Sequence, residues 1–320
     1  MSSLVNTKLE AQRNRPMLRR GRMTGKAIAP YLFVFPWFAI YFGFTMFSII
    51  YSFFISLTEW RGGAAEKIFV GLNNYVRLVQ DPLVHQTFLN TILFMLCIIP
   101  IQLILAMFLA LALTNRRMIM KDTFRLFNFL PYLMSPVAMG LFFAILFEWD
   151  NGVFNQFLKA LGLIKYDIYW LGEAWPARWM VSMITIWKYT GYDAIQLMAG
   201  INTVNPEIGE AAEIDGASYF KKLWYIVLPQ LKSVMIFVVL TTMIGCFQIY
   251  EEPVMIFTGT LRKIVGGPDN SVYSVVWHIM ETAFQYQRFG DAASISFLMF
   301  IFIAAYSLIT YRVMNRGGDE

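Results

Sequence analysis

Five long runs carry no Asp, Glu, Lys or Arg: residues 27–58, 86–115, 126–147, 233–250 and 292–311. About 20 mostly apolar residues in a helix cross a hydrocarbon core roughly 30 Å thick. The first two runs exceed that length, so they tilt or project past the bilayer. A sixth apolar segment, about 179–201, is interrupted by Lys188 and Asp193. The pattern predicts an all-α integral membrane chain with six transmembrane helices.

Between the spans the pattern breaks into short amphipathic pieces. Residues 59–85 contain Gly62-Gly63 and the stretch Tyr75-Val76-Arg77-Leu78-Val79. Asp150-Asn151-Gly152 is a turn signal. After it, Val153, Phe154, Phe157, Leu158 and Leu161 repeat at helical spacing, as in a short helix lying at the interface. Gly266-Gly267-Pro268-Asp269-Asn270 cannot be helix interior. No domain large enough to capture a dilute solute unaided can be built from these pieces.

Residues 202–232 read differently. Asn205 is placed as an N-cap, with Pro206 at the first helical position and Glu207 and Glu210 in the early turns, where the helix dipole favours negative charge. Ile208, Ala211 and Ala212 form a small apolar face, and Gly216 permits a turn. A second short helix is expected through Tyr219, Phe220, Leu223, Trp224 and Ile226 before Pro229. Two alanines near a glycine allow another surface to approach the backbone closely. A docking site for another protein and an interfacial loop packed on its own bundle both satisfy this pattern.

Composition agrees with the class: 58% of residues are hydrophobic and 15% charged, and the mean hydropathy is +0.53. Charge supplies the orientation. With the N-terminus in the cytoplasm, the inner segments 1–29, 115–125, 202–232 and 312–320 hold 16 Lys and Arg, against 9 in the outer segments. The bias is strongest around the first helix, and both termini are therefore expected in the cytoplasm. The net charge of +5 is mostly this signal and does not point to nucleic acid. The first run is too long for a signal-peptide core, and no small-residue cleavage pattern follows it, so an uncleaved helix is expected.

Catalytic chemistry is not visible. There is no GxxxxGK[ST] phosphate loop; Gly25-Lys26 is an isolated pair in the basic tail. His85 and His278 stand alone, and no Ser/His/Asp or Cys/His grouping is seen. Cys97 and Cys246 fall inside expected spans without metal-ligand spacing, which suits apolar packing. No metal site and no enzyme activity are expected. Active transport would draw its energy from another chain or from an ion gradient.

Ionisable groups inside spans are functional candidates, since a Lys at a helix centre costs about 2.5–3.5 kcal/mol to insert. Sugar sites need aromatic faces for C–H surfaces and polar groups for hydroxyls. Trp187, Lys188, Tyr189 and Tyr192 on the fourth span, and Gln248, Tyr250 and Glu251 on the fifth, could supply both. In the competing reading, Lys188 pairs with Asp193 or a helix-end carbonyl and merely holds the bundle. Asn90 and Gln102 are expected to be interhelical hydrogen-bond partners, worth about 0.6 kcal/mol each.

Glu210-Ala211-Ala212, then Gly216 after three residues, then Ile226 and Leu228-Pro229 resemble the complete signature loop of binding-protein-dependent ABC transporter permeases. The spacing is EAA-x-x-x-G-(nine)-I-x-L-P, and it falls between the fourth and fifth spans on the basic side. Ile214-Asp215-Gly216-Ala217 fits the carbohydrate branch, the permeases of maltose-type and glycerol-3-phosphate-type importers. Phe69-Val70-Gly71-Leu72-Asn73-Asn74-Tyr75, Asn90-Thr91, Leu130-Pro131, Gly152 to Leu158, Ile186-Trp187-Lys188 with Gly191, and Gly266-Gly267-Pro268 follow in the same order. Together they cover roughly residues 30–313.

The resemblance implies a type I ABC importer permease fold in a bacterial or archaeal cell (inner) membrane. It implies a basic cytoplasmic tail at 1–26, a transmembrane permease domain at 27–313 containing a coupling loop at about 202–232, and a C-terminal tail at 314–320. The implied partners are a second homologous permease, two ATPase subunits and an extracytoplasmic solute-binding protein that delivers a sugar, of the di- or oligosaccharide class. ATP and Mg would be used by the ATPase, with no cofactor on this chain. Glu210, Ala211, Ala212, Asp215, Gly216, Ile226, Leu228 and Pro229 are the implied ATPase-coupling residues. The alternative is an ion-coupled secondary transporter acting without an ATPase, which is expected to show inverted repeats with broken helices. No convincing repeat is seen.

Overall fold

The computed structural model describes residues 25–115, 118–150, 152–259 and 264–315. Expectations placed on the tail before residue 25, on Asn151, Arg262 and Lys263, and on residues 316–320 lie outside the described residues.

The chain divides into two units, residues 1–52 and 53–320. The first is helical where described. Helix α1 (Gly25–Ile40) contains Pro30 and Pro36 and passes through a wide π turn, Tyr41–Met46, into α2 (Phe47–Ser56). Trp37 stacks on Tyr41 and Phe47 on Tyr51, each pair four residues apart on one helix face.

The second unit begins with a two-residue antiparallel pair, β1 (Thr58–Glu59) with β2 (Ile68–Phe69), in the register Thr58↔Phe69. Helix α3 (Asn73–Gln80) holds it: the buried Asn74 Nδ2 donates to the carbonyls of Ser56 and Thr58, each at 2.9 Å. Helix α4 (Pro82–Thr114) opens on Asp81, whose carboxylate accepts from the Leu83 amide at 2.8 Å, with Pro82 at the first position.

The third apolar run departs from a straight span. Helix α5 (Lys121–Phe129) and a 3-10 turn, Leu130–Leu133, meet α6 (Pro136–Leu146) at a 95° bend. Pro131 and Pro136 each remove a backbone donor at the corner, a feature that hydropathy cannot register.

The expected interfacial helix is α7 (Val153–Ala160), and α8 (Ala174–Ile201) follows it. The loop segment comprises α9 (Pro206–Ile214), α10 (Tyr219–Lys222), a π turn Leu223–Val227 and α11 (Leu228–Gln230). Pro229 thus sits inside the last short helix instead of ending it. Helix α12 (Lys232–Phe247) is interrupted over residues 248–250 before α13 (Glu251–Thr258). Then come α14 (Val275–Met280), a π turn Glu281–Gln285 and α15 (Phe289–Asn315).

Among the described residues, four helical stretches are long and apolar enough to cross a membrane: Pro30–Ser56, Pro82–Thr114, Lys232–Thr258 and Phe289–Asn315. The bent pair α5–α6 makes a fifth. Helix α8 has 28 residues, enough for a crossing, but it carries Arg178, Lys188 and Asp193 and is the least apolar of the set.

Packing within the second unit centres on α4 against α8. Buried small residues, Ala106 and Ala110 on α4 and Ala194 on α8, let the backbones approach, as membrane helices require without a hydrophobic drive. At Gly191 the approach is closest, since a Cβ there would collide with the Asn128 carbonyl on α5. Asn90 acts as an interelement hydrogen-bond partner. It donates to the Asn270 and Tyr273 carbonyls at 2.7 and 3.1 Å and accepts from Arg178 at 3.1 Å.

Candidate functional site

A cavity of about 690 Å³ opens where α12 breaks. Gln248 and Tyr250 stand in the break, and Glu251 and Glu252 occupy the first turn of α13. Unpaired backbone is tolerated at membrane depth only against protein or a wet cavity, so the break and the cavity explain one another. The N-terminal end of α13 also favours the two carboxylates placed on it. Across from them, Tyr189, Tyr192 and Asp193 of α8 complete the wall.

Five of the residues expected in a pathway therefore meet around one space: Tyr189, Tyr192, Gln248, Tyr250 and Glu251. Trp187 and Lys188 do not line it. Trp187 is 43% exposed, packs edge-on against Phe143 with ring centroids 5.5 Å apart, and borders a separate apolar groove. Lys188 is buried, and its Nζ donates to Glu252 Oε1 at 2.6 Å. Its partner is thus neither Asp193 nor a helix-end carbonyl, but a residue 64 positions along the chain. Asp193 is held instead by Gln102 Nε2 at 2.7 Å and by the Thr242 hydroxyl at 3.1 Å. Gln102 is an interhelical partner as expected.

Tyr132 was missed from sequence. The 3-10 turn at the bend carries it to the cavity, stacked on Tyr192 with centroids 4.7 Å apart and edge-on to Tyr189. Leu130-Pro131 was the nearest available signal. Glu252, Thr242 and Thr185 are further wall residues that no pattern singled out. The wall thus combines flat phenol faces with hydroxyl, amide and carboxylate groups, a mixture suited to a polar ligand with C–H faces.

The loop segment offers the opposite surface. Asn205 caps α9 as expected, its Oδ1 accepting from the Glu207 amide at 3.0 Å. At the other end, Gly216 has φ +79°, its amide donates to the Glu213 carbonyl at 3.1 Å, and the Ala217 amide donates to the Ala212 carbonyl at 2.9 Å. These are the two bonds of a Schellman cap, which needs a left-handed residue at this position. Ala211 and Asp215 are exposed, Ala212, Ile226 and Leu228 half-buried, and Pro229 exposed; Glu210 lies on the same helix. Lys222 pairs with Glu213, and its hydrogen bond and charge hold that carboxyl below the ordinary carboxylate value. Ile214, Phe220, Trp224 and Tyr225 are exposed, Ile214 at 88%. Of these, Tyr225 carried no signal in the sequence.

Comparison with known proteins extends this picture. The family profile described as the binding-protein-dependent transport system inner membrane component matches residues 86–316. The lactose transport system permease protein LacF of Rhizobium radiobacter is 32% identical over 282 residues, covering 88% of this chain and 92% of that protein. The arabinooligosaccharides transport system permease protein AraP of Bacillus subtilis is 30% identical over 300 residues, covering 92% and 91%. Among solved structures, a bacterial ABC transporter involved in the import of the acidic polysaccharide alginate superposes with a TM-score of 0.72 at 18% identity. It covers 91% of this chain and 96% of that one, a likeness of fold.

Proposed function

Because the chain belongs to the family of inner membrane components of binding-protein-dependent transport systems, we propose that it is the permease subunit of an ATP-driven importer of di- or oligosaccharides. It is a multi-pass membrane protein, and the hydrolytic chemistry belongs to another subunit. The observation that carries the reading is the tyrosine- and carboxylate-walled cavity at the break in α12, inside a bundle of otherwise apolar helices. The sugar class follows the lactose and arabinooligosaccharide permeases that the chain resembles over nine-tenths of its length.

In this reading residues 27–313 form the permease domain, with cytoplasmic tails at 1–26 and 314–320 and both termini inside. Residues 202–232 form the coupling loop, and α9 from Glu210 to Asp215 with Gly216 docks on one of two ATPase subunits, which use ATP and Mg. Ile226, Leu228 and Pro229 set the second arm of that loop. A homologous second permease completes the pathway, and an extracytoplasmic binding protein delivers the sugar. Tyr189, Tyr192, Gln248, Tyr250 and Glu251 contact it, while Trp187 and Lys188 support the wall from behind. ATP binding and hydrolysis then move the two permeases as rigid bodies, biased by contacts that differ between states.

Broken helices at two places agree with the ion-coupled alternative as well as with this one. Family membership separates them. Affinity purification of the tagged chain from its own membranes should yield an ATPase and a second permease in fixed proportion. A monodisperse single chain that transports when reconstituted alone would overturn the proposal.

A further inference from the structure

The charges around the cavity have one sign. Asp193, Glu251 and Glu252 line it, and among the described residues no Lys, Arg or His does. The nearby cation is already engaged: Lys188 is buried, donates to Glu252 at 2.6 Å, and has its Nζ 5.1 Å from the centre of the Tyr189 ring. Pairing with Glu252 leaves Asp193 and Glu251 as the uncompensated carboxyl groups of the wall.

At the Asp193 end of the wall the hydrogen bonding leaves one acceptor open. Gln102 donates its amide N–H to Asp193 Oδ2, and the Thr242 hydroxyl points to the same oxygen. The same Thr242 hydroxyl lies 2.8 Å from the Val238 carbonyl, so its one proton is shared between two acceptors. Among the described residues the Gln102 amide oxygen is left buried with no partner, on a side chain only 2% exposed at the cavity wall. A buried acceptor without a donor is costly, and a ligand that brings the donor relieves that cost.

We propose that this cavity selects neutral, hydroxyl-rich saccharides and rejects carboxylated or phosphorylated ones, with Gln102 Oε1 and Asp193 accepting hydrogen bonds from ligand hydroxyls. The inference rests on reading the cavity as the saccharide path and narrows the substrate class of that site. Sugar hydroxyls donate as well as accept, whereas ionised carboxylate and phosphate oxygens only accept. An anionic ring would meet the exposed Glu251 carboxylate and, among the described residues, no Lys, Arg or His in the lining to offset it. The fold does not dictate this sign, since a transporter of an acidic polysaccharide shares it.

Saturation-transfer NMR on the intact importer complex in nanodiscs, without the delivering protein, tests the cavity directly. The probes are lactose and arabinotriose, each paired with the aldonate made by oxidising its reducing end to a carboxylate. The expected result is binding of a neutral probe, with its aldonate weaker by about tenfold or more, the scale of one close like-charge contact in a nearly water-like dielectric. Asp193→Asn and Glu251→Gln should each narrow that ratio. Glu251 is exposed, so its variant folds even where Asp193→Asn does not. An aldonate that binds as tightly as its neutral parent overturns the proposal and leaves the saccharide path standing. A ratio unmoved by both variants also overturns it. Binding of none of the four probes removes the saccharide path itself, and the proposal with it.

Discussion

The cavity wall and the loop after α8 solve the same problem in opposite ways. Both place polar groups within an apolar chain. At the wall these groups are buried and answer one another across helices: Lys188 to Glu252, and Gln102 and Thr242 to Asp193. In the loop the backbone is satisfied within a few residues by Asn205 and the Gly216 cap, while Ile214, Phe220, Trp224 and Tyr225 are turned outward. A wall held by long-range pairs keeps its shape around something small. A self-capped segment that leaves its aromatic side chains outside suits the proposed docking surface.

The contrast breaks most sharply at Lys188. Replacing it with Met leaves Glu252 buried without its cation, a loss of about 3–5 kcal/mol in comparable pairs. Thermal unfolding of the purified complex should fall by many degrees, and the double variant Lys188→Met/Glu252→Met should recover most of the loss. Equal stability of the single and double variants would show that the pair does not hold the wall.

Gly216→Val ranks next. Among the described residues a Cβ at this position meets nothing within 4 Å, so the penalty is the left-handed backbone at φ +79°. Strain of this kind costs about 1–3 kcal/mol, and Asn should be tolerated better than Val. Sugar uptake should drop while ATP hydrolysis continues, measured together in the same proteoliposomes. Wild-type uptake in Gly216→Val counts heavily against docking at this turn.

Tyr250→Ala and Gln248→Ala should act on the wall alone. Each removes a ring face or hydrogen-bonding group worth about 0.5–1.5 kcal/mol, so uptake should fall roughly 2- to 10-fold with the subunit composition unchanged. Unchanged uptake in both removes these residues from the pathway.

The smallest effect belongs to Glu213. Its carboxyl is held below the ordinary value of 4.5 by Lys222, so the contribution of the pair is present above that value. It is lost as pH falls through the lower, folded value. Protection of the amides over residues 206–222, relative to their intrinsic exchange at each pH, should therefore fall only in acid below the ordinary carboxylate range, and Glu213→Gln should show that lower protection at neutral pH. Identical exchange in the two proteins at neutral pH would mean that the pair does not hold α10 to α9.

Much of this contrast was legible beforehand, for physical reasons that differ by region. The loop could be read almost completely because a cap, a dipole and a left-handed glycine are local: Asn205, Pro206 and Gly216 sit where their spacing puts them. Gln248, Tyr250 and Glu251 were found because polar residues inside an apolar run are conspicuous. Glu252 as the partner of Lys188 was not, because pairing across 64 residues depends on how α8 and α13 pack, which no local pattern encodes. Tyr132 escaped for a related reason. Only the 95° corner between α5 and α6 turns it onto Tyr192, and a run of uncharged residues gives no sign of a corner.

The central claim is that this chain supplies a path and borrows the power for it. The direct measurement is uptake of radiolabelled lactose and arabinotriose into proteoliposomes containing the purified complex and its delivering protein, with and without ATP on the ATPase side. Uptake should require ATP and both partner subunits and persist when ion gradients are collapsed. Uptake by this chain alone, abolished by collapsing an ion gradient and indifferent to ATP, would contradict it.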